Sequence, residues 1–333
     1  MMENGDIIGR DRSISAVMAV YNPDLPLFRK AVSSVLEQSL PVLELVVVND
    51  GGGDDFRGAL PEDDRIRVFS KPNEGVANTR NYAISHCRGE YIAFLDQDDF
   101  WYPGKLSEQM AMIPLSGTPC MVISMVDVVD ASDRVIQKQT GIAHESYLHK
   151  VSDGEVNQGL ADDNFIFSST PLIHRSIFRE IGGFYADTQP HDDWDIYLRI
   201  ALSGYPVYCY AAKALSVWRI HDANESHKRR SMLESRCRVA EKLLRSVTSP
   251  EIRQIFRTNM SLDSIDIDAL LYRERLYRQF RTSSRQHFPN MLKMYLKSGR
   301  DDRFAQDYRK RWRETFLKLF RRYLFSFYFD FMK

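Results

Sequence analysis

Three carboxylates, Asp96, Asp98 and Asp99, follow the apolar run Tyr91 to Leu95 in the stretch YIAFLDQDDFW. The run is β-prone, and the C-terminal end of a strand is where an open α/β sheet places its ligands. Acids gathered there repel one another and lose hydration, so a bound cation is the simplest compensation. On extended chain, residues two apart face the same way, which would let Asp96 and Asp98 share one hard divalent ion. The same residues also suit a solvated acidic turn before a capped helix.

Four more features carry chemistry. Asp50 ends the run LELVVVND and could accept a proton from a base or ribose, or cap the turn that follows. Arg80, in VANTRNYA, could neutralise a diphosphate or simply be a solvated helical arginine. HDDW puts Asp192 and Asp193 at a helix start, where acids also favour the helix dipole for structural reasons. His221 ends the segment RIH, as a ligand or as a surface histidine.

The elements that must position these groups are readable in outline. SISAVMAV (13–20), LELVVVN (43–49), IRVFS (66–70) and the run at 91–95 predict strands, with helices over 25–40 and 75–85 between them. Near-continuous apolar strands alternating with helices argue a parallel, doubly wound sheet with right-handed crossovers. The GGGDD loop after Asp50 lets a ligand approach the backbone without Cβ obstruction. Further on, the patterns predict a helix over 103–113 and a strand over 121–129, then a strand-and-loop insertion over 131–164 and a strand over 165–175. After them come a short helix stopped by Gly182 and Gly183, a helix over 193–203, and strands near 205–210 and 213–220. From residue 225 the pattern turns helical and basic.

A chain of 333 residues allows one large domain or two modest ones, and its composition is that of an ordinary globular protein. Zero net charge hides an asymmetry: residues 225–333 hold 26 Lys and Arg against 13 Asp and Glu, about +13 balanced by about −13 before them. That division suggests a metal-using site, 1–224, joined to a basic helical region, 225–333, that meets an anionic surface. Cys87, Cys120, Cys209 and Cys237 are scattered, without zinc-ligand spacing, and read as reduced thiols of a cytoplasmic protein. The polar first residues predict no signal peptide, and no apolar run approaches a membrane span.

In order, AVYNPD, VVVNDGGGDD, NEGVANTRNYAI, GEYIAFLDQDDFWYPGKL, REIGGF, HDDWDIYLRIA and RIH resemble the successive blocks of glycosyltransferase family 2, over roughly residues 13–224. The resemblance implies the GT-A (nucleotide-diphospho-sugar transferase) fold and an inverting transfer from a nucleotide-sugar, most commonly a UDP-sugar. It places Val20, Tyr21 and Asp50 around the nucleoside and Arg80 near the diphosphate. Asp96 and Asp98 become the pair that meets ribose and Mn²⁺ or Mg²⁺, with His221 as a further metal ligand. Asp193, paired with Asp192 where Glu–Asp is more usual, becomes the general base. The GGGDD loop departs from the family's common Gly-Ser-x-Asp form. QDYRKRW has Lys310 where processive members carry Trp, which points to transfer of one or a few sugars.

In the last thirty residues Trp312, Phe316, Leu319, Phe320 and Tyr323 recur at helical spacing beside Arg309, Arg313, Lys318, Arg321 and Arg322. Such a helix can lie on an anionic membrane, or pack on its own domain or on a second subunit in a homo-oligomer. No nucleic-acid motif accompanies the charge. The resemblance, taken with the tail, implies a metal-dependent transferase peripheral to the inner membrane face, acting on a glycan or lipid-linked glycan acceptor in envelope polysaccharide or lipopolysaccharide synthesis. Its rivals are a sugar nucleotidyltransferase, for which AVYNPD lacks a basic glycine-rich loop, and a non-catalytic nucleotide-sugar scaffold. Truncation near Gly299 is expected to shift the protein from the membrane to the soluble fraction on fractionation; unchanged partition would assign the tail to packing.

Overall fold

The computed structural model describes residues 12–140, 156–221, 224 and 228–280. The amphipathic tail and the first eleven residues lie outside them. Strands β1 (Ile14–Val20), β2 (Glu44–Asp50), β3 (Ile66–Lys71) and β4 (Tyr91–Phe94) form the parallel half of the sheet, in the order β3-β2-β1-β4. Alternation along each strand supplies both faces: Val17, Val46, Val48, Ile92 and Phe94 enter one core cluster, while Ala16, Met18, Leu45, Val47 and Ala93 enter the other. Helix α1 (Leu25–Leu36) covers the second face with Phe28, Ala31, Val32 and Val35, and Asp24 caps its first turn through Leu27 N–H. Helix α2 (Val76–His86) covers the first face and carries Arg80.

The helix predicted to reach residue 40 stops at Leu36. Gln38 is the reason, because its amide donates to the carbonyls of Ser34 and Tyr102 and accepts from Leu106 N–H, which pulls the chain out of register. Past β4 come the two-residue β5 (Phe100–Trp101), α3 (Lys105–Ala111), β6 (Met121–Val129) and β7 (Val135–Thr140). The insertion predicted as strand and loop also contains a helix, α4 (Val156–Asp162), after residues that lie outside those described.

The strand predicted over 165–175 shrinks to β8 (Leu172–His174), because the serines before it bond to acidic side chains rather than to a ladder. Helix α5 (Arg175–Ile181) follows, stopped at Gly182 with φ +83°, and then α6 (Asp192–Leu202). The two strands predicted near 205–220 are one, β9 (Val207–Arg219), whose register against β6 slips between Tyr210 and Ala214. The sheet closes in the order β4-β8-β6-β9-β5, with β7 beside β6. It is therefore mixed, with antiparallel pairs at β4–β8, β8–β6 and β5–β9.

Helices α7 (Arg229–Leu243) and α8 (Pro250–Phe280) follow. Val239, Ala240, Leu243, Ile252 and Phe256 belong to the same buried cluster as Phe94, Leu160 and Trp194, so the core runs unbroken from the sheet into the helical region. Among the described residues no helix is long and apolar enough to cross a membrane. All four cysteines are free, Cys87 and Cys120 buried and the other two partly so.

Phe256 is fully buried in that shared cluster, so Phe256→Ala is expected to destabilise the protein by about 3–5 kcal/mol. A urea melt should show a single transition moved to lower concentration; a separate early transition would mean that the helical region unfolds by itself.

Candidate active site

The chain does not stay extended after β4. Asp99 N–H donates to Asp96 O across a turn at Gln97 and Asp98, so the two outer acids leave in different directions. The extended geometry expected for this stretch is thereby corrected: a turn, not a strand, separates Asp96 from Asp98. Asp96 Oδ1 accepts from Arg80 Nη2 at 2.9 Å, and Oδ2 accepts from the Ser168 hydroxyl. Asp98 Oδ2 lies 2.7 Å from His221 Nε2. Asp99 is fully enclosed, accepting from Ser169 Oγ at 2.6 Å and Arg219 N–H at 2.9 Å.

Arg80 joins this turn to the start of α6. Its other terminal nitrogen donates to Asp192 Oδ2 at 3.1 Å, and Phe184 lies beneath the guanidinium at 5.4 Å. The group is 7% exposed; against the cost of burial, Asp96 and then Asp192 hold it protonated, above its ordinary value. Asp192 is nearly inaccessible, and burial outweighs Arg80, so its carboxyl is raised. Asp193, half-buried beside it, is pushed up to about 7, first by burial and then by the Asp192 charge. Its Oδ1 accepts from Trp194 N–H at 2.6 Å, with Asn164 Nδ2 at 3.5 Å. Tyr197, one turn along α6, feels Asp193, Arg80, Asp96 and Asp192 together; with burial first among the causes, its phenol is pushed well up.

Burial and the Asp96 charge raise Asp98, and burial followed by Asp98 and Asp96 raises Asp99 further. The turn thus carries more negative charge than its surroundings satisfy. Among the described residues no three His, Cys, Asp or Glu side chains form a ready cage for an ion. The donors fit a different arrangement. Asp98 and His221 make a two-ligand pair beside Asp96, and Mg²⁺-type ions are commonly held by one or two protein groups plus substrate phosphates.

The residues expected around a nucleoside lie at the ends of β1 and β2. Val20 is buried, whereas Tyr21 is 51% exposed, its N–H and C=O both bonded to the Gln97 amide at 2.9 and 3.3 Å. Asp50 stands outside the acidic cluster, two strands from β4. Its carboxylate accepts from Lys71 Nζ at 2.7 Å and from Glu74 and Gly75 N–H at 3.0 and 2.9 Å, so it ties down the 72–75 loop. Lys71 and these backbone donors outweigh burial and lower its pKa. In the neighbouring loop, a Cβ on Gly51, at φ +78°, would sit 2.6 Å from Asn73 N.

Sequence reasoning brought Arg80, Asp96, Asp192 and Asp193 to notice but missed Ser168, Ser169, Gln97, Tyr197 and Arg219. Arg219 is 1% exposed, and its Nε reaches Asp98 O at 3.0 Å. A basic residue beside the noted histidine was the one available signal. The serines gave none.

The family model described as glycosyl transferase family 2 matches residues 15–182. An uncharacterized glycosyltransferase of Rickettsia typhi is 29% identical over 253 residues, 73% of this chain and 74% of that protein. One from Rickettsia bellii is 38% identical over 193 residues, 56% of this chain but only 27% of its own length. Among solved structures, the mannosyltransferase PcManGT from Pyrobaculum calidifontis, in complex with GDP-Man and Mn²⁺, aligns with a TM-score of 0.58 at 16% identity, covering 96% of this chain and 88% of that one. S. aureus TarS 1–349, in complex with UDP-GlcNAc, aligns at 0.52 and 16% identity over 91% and 79%. At such identities these two alignments speak for the shared fold.

Removing Arg80 would strand two carboxylates, one of them enclosed, so Arg80→Met is expected to cost about 3–5 kcal/mol near pH 7. Asp192 already has a raised carboxyl, and ionising it opposes folding above its unfolded pKa. The loss should therefore shrink as pH falls towards the unfolded carboxylate pKa, below which Asp192 is neutral in both states. Denaturant melts at pH 7.5 and pH 5 test this; equal losses at both would mean that Arg80 is not the counter-charge.

Proposed function

This chain belongs to glycosyltransferase family 2 and has the GT-A fold, and from that premise we propose that it is a metal-dependent inverting enzyme that moves a sugar from a UDP-sugar to a hydroxyl of a glycan or lipid-linked glycan. The observation that carries the reading is the Arg80 bridge, which puts Asp96, at the end of β4, within one side chain of Asp192 and Asp193 at the start of α6. A donor group and an acid–base group on opposite sides of one cation is the arrangement a displacement needs.

Asp193 is the general base. A carboxyl raised to about 7 is poised to take a proton from an acceptor hydroxyl near neutral pH, a contribution on the order of 10²–10⁴-fold. Asp192 stays locked on Arg80 and orients the pair. Asp98 and His221, with Asp96 beside them, would hold Mn²⁺ or Mg²⁺, and the bound ion would neutralise charge on the departing diphosphate. Tyr21 offers an exposed ring beside the nucleoside, and the loops held by Asp50 and the glycines frame it. One base and in-line attack invert the anomeric centre without a covalent sugar intermediate. The setting that fits the basic tail is the inner membrane face, in envelope polysaccharide or lipopolysaccharide synthesis.

Asp193→Asn is expected to abolish transfer while the thermal shift given by donor with Mn²⁺ stays near that of the unsubstituted enzyme; near-normal turnover would remove Asp193 from the mechanism. Because the base must be ionised, kcat/KM should rise tenfold per pH unit below about 7 and level off above it. A panel of nucleoside diphosphates and their sugars, with and without Mn²⁺, identifies the donor as the compound giving the largest metal-dependent rise in Tm.

A further inference from the structure

The segment from Tyr185 to Trp194, which delivers Asp192 and Asp193, is gripped from outside by α7. His191 is the residue at which α6 begins: its carbonyl accepts from Asp195 N–H at 3.0 Å, and its ring is buried against Trp194 at 5.6 Å. His191 Nδ1 lies 2.5 Å from the hydroxyl of Ser235, itself fully buried on α7. That hydroxyl also reaches Met232 O at 3.0 Å, which ties the imidazole to a turn of α7. Burial holds the ring neutral, pushing its pKa down to about 4.

One turn further along α7, Arg238 donates to two carbonyls of the same segment, Asp187 O at 2.9 Å and Gln189 O at 2.8 Å. Lys242, another turn along, bonds both Asp187 carboxylate oxygens and lies 3.6 Å above the Tyr185 ring. The gripped segment has a second hold. With its amide turned to satisfy its neighbours, Gln189 accepts from Val76 and Ala77 N–H and so caps α2, the helix of Arg80. Gly75 lies at φ +88°, a left-handed backbone that favours glycine, and its open face receives the Gln189 amide.

We propose that Ser235, Arg238 and Lys242 of α7 are positioning residues for the catalytic carboxylates: acting through His191, Asp187 and Gln189, they fix where α6 starts and hence where Asp193 stands. The basic helical region is then part of the catalytic apparatus and not only a means of attachment. The inference rests on the reading of Asp193 as the base, but its first test does not need turnover. In hydrogen–deuterium exchange, Ser235→Ala and Arg238→Gln should each speed the amides of 188–199 about tenfold while those of 91–101 keep the unsubstituted rate.

The second test is kinetic. With the donor identified by thermal shift, the same substitutions should lower kcat for metal-dependent donor hydrolysis about tenfold and leave donor KM within about twofold. Arg238→Lys should recover part of the loss, since one of the two carbonyl bonds can be remade. Unchanged exchange at 188–199 overturns the proposal. So does a parallel rise at 91–101, or a joint loss of kcat and donor affinity, either of which is general loosening. An unsubstituted enzyme that turns over no donor refutes the proposed reaction instead, and the exchange data still decide the grip.

Discussion

One buried guanidinium sets the terms for the rest of this molecule. Arg80 has given up water on all sides, and what it receives in return is two carboxylates from distant parts of the chain, Asp96 and Asp192. An ion removed from water costs several kcal/mol unless its partners are well placed, so β4, α2 and α6 cannot shift independently. A short turn, a helix face and a helix start become one rigid body because one charge requires all three.

The same economy governs the surroundings of that charge. Asn81 on α2 donates to and accepts from the backbone of Phe184, and Gly183 is needed because a Cβ would strike the Asn81 amide. Gln189 caps the other end of α2, and Ser168 and Ser169 bond Asp96 and Asp99. The two serines hold charged side chains directly, while Asn81 and Gln189 hold the backbone on either side of Arg80 and the α6 acids.

Much of this was legible from residues alone, for a physical reason. Apolar residues on both faces of β1, β2 and β4 announce a covered parallel sheet, and acids at strand ends announce a ligand. Segment 165–171 was not legible, because its hydroxyls bond partners some seventy residues away and a pattern of apolar spacing carries no trace of that. Arg80 looked like any helical arginine, since nothing local records that its helix face is covered. Asp50 was readable as an important acid, yet its hold on the turn depends on Lys71, its partner on β3, and on backbone donors that local spacing does not announce. The antiparallel pairings β4–β8 and β5–β9 escaped for a related cause: β8 and β5 are too short to show a period.

The core shared between the sheet and α7–α8 has a consequence for how the molecule comes into being. A ribosome makes the chain from its first residue, and the surfaces of Leu160, Phe165 and Trp194 are ready long before Val239 and Phe256, which share their buried cluster, have been made. Until then a nascent chain presents bare apolar surface, the condition under which aggregation competes with folding. The acids of α6 stand beside that uncovered patch, so the birth of a competent enzyme waits for its last described helices.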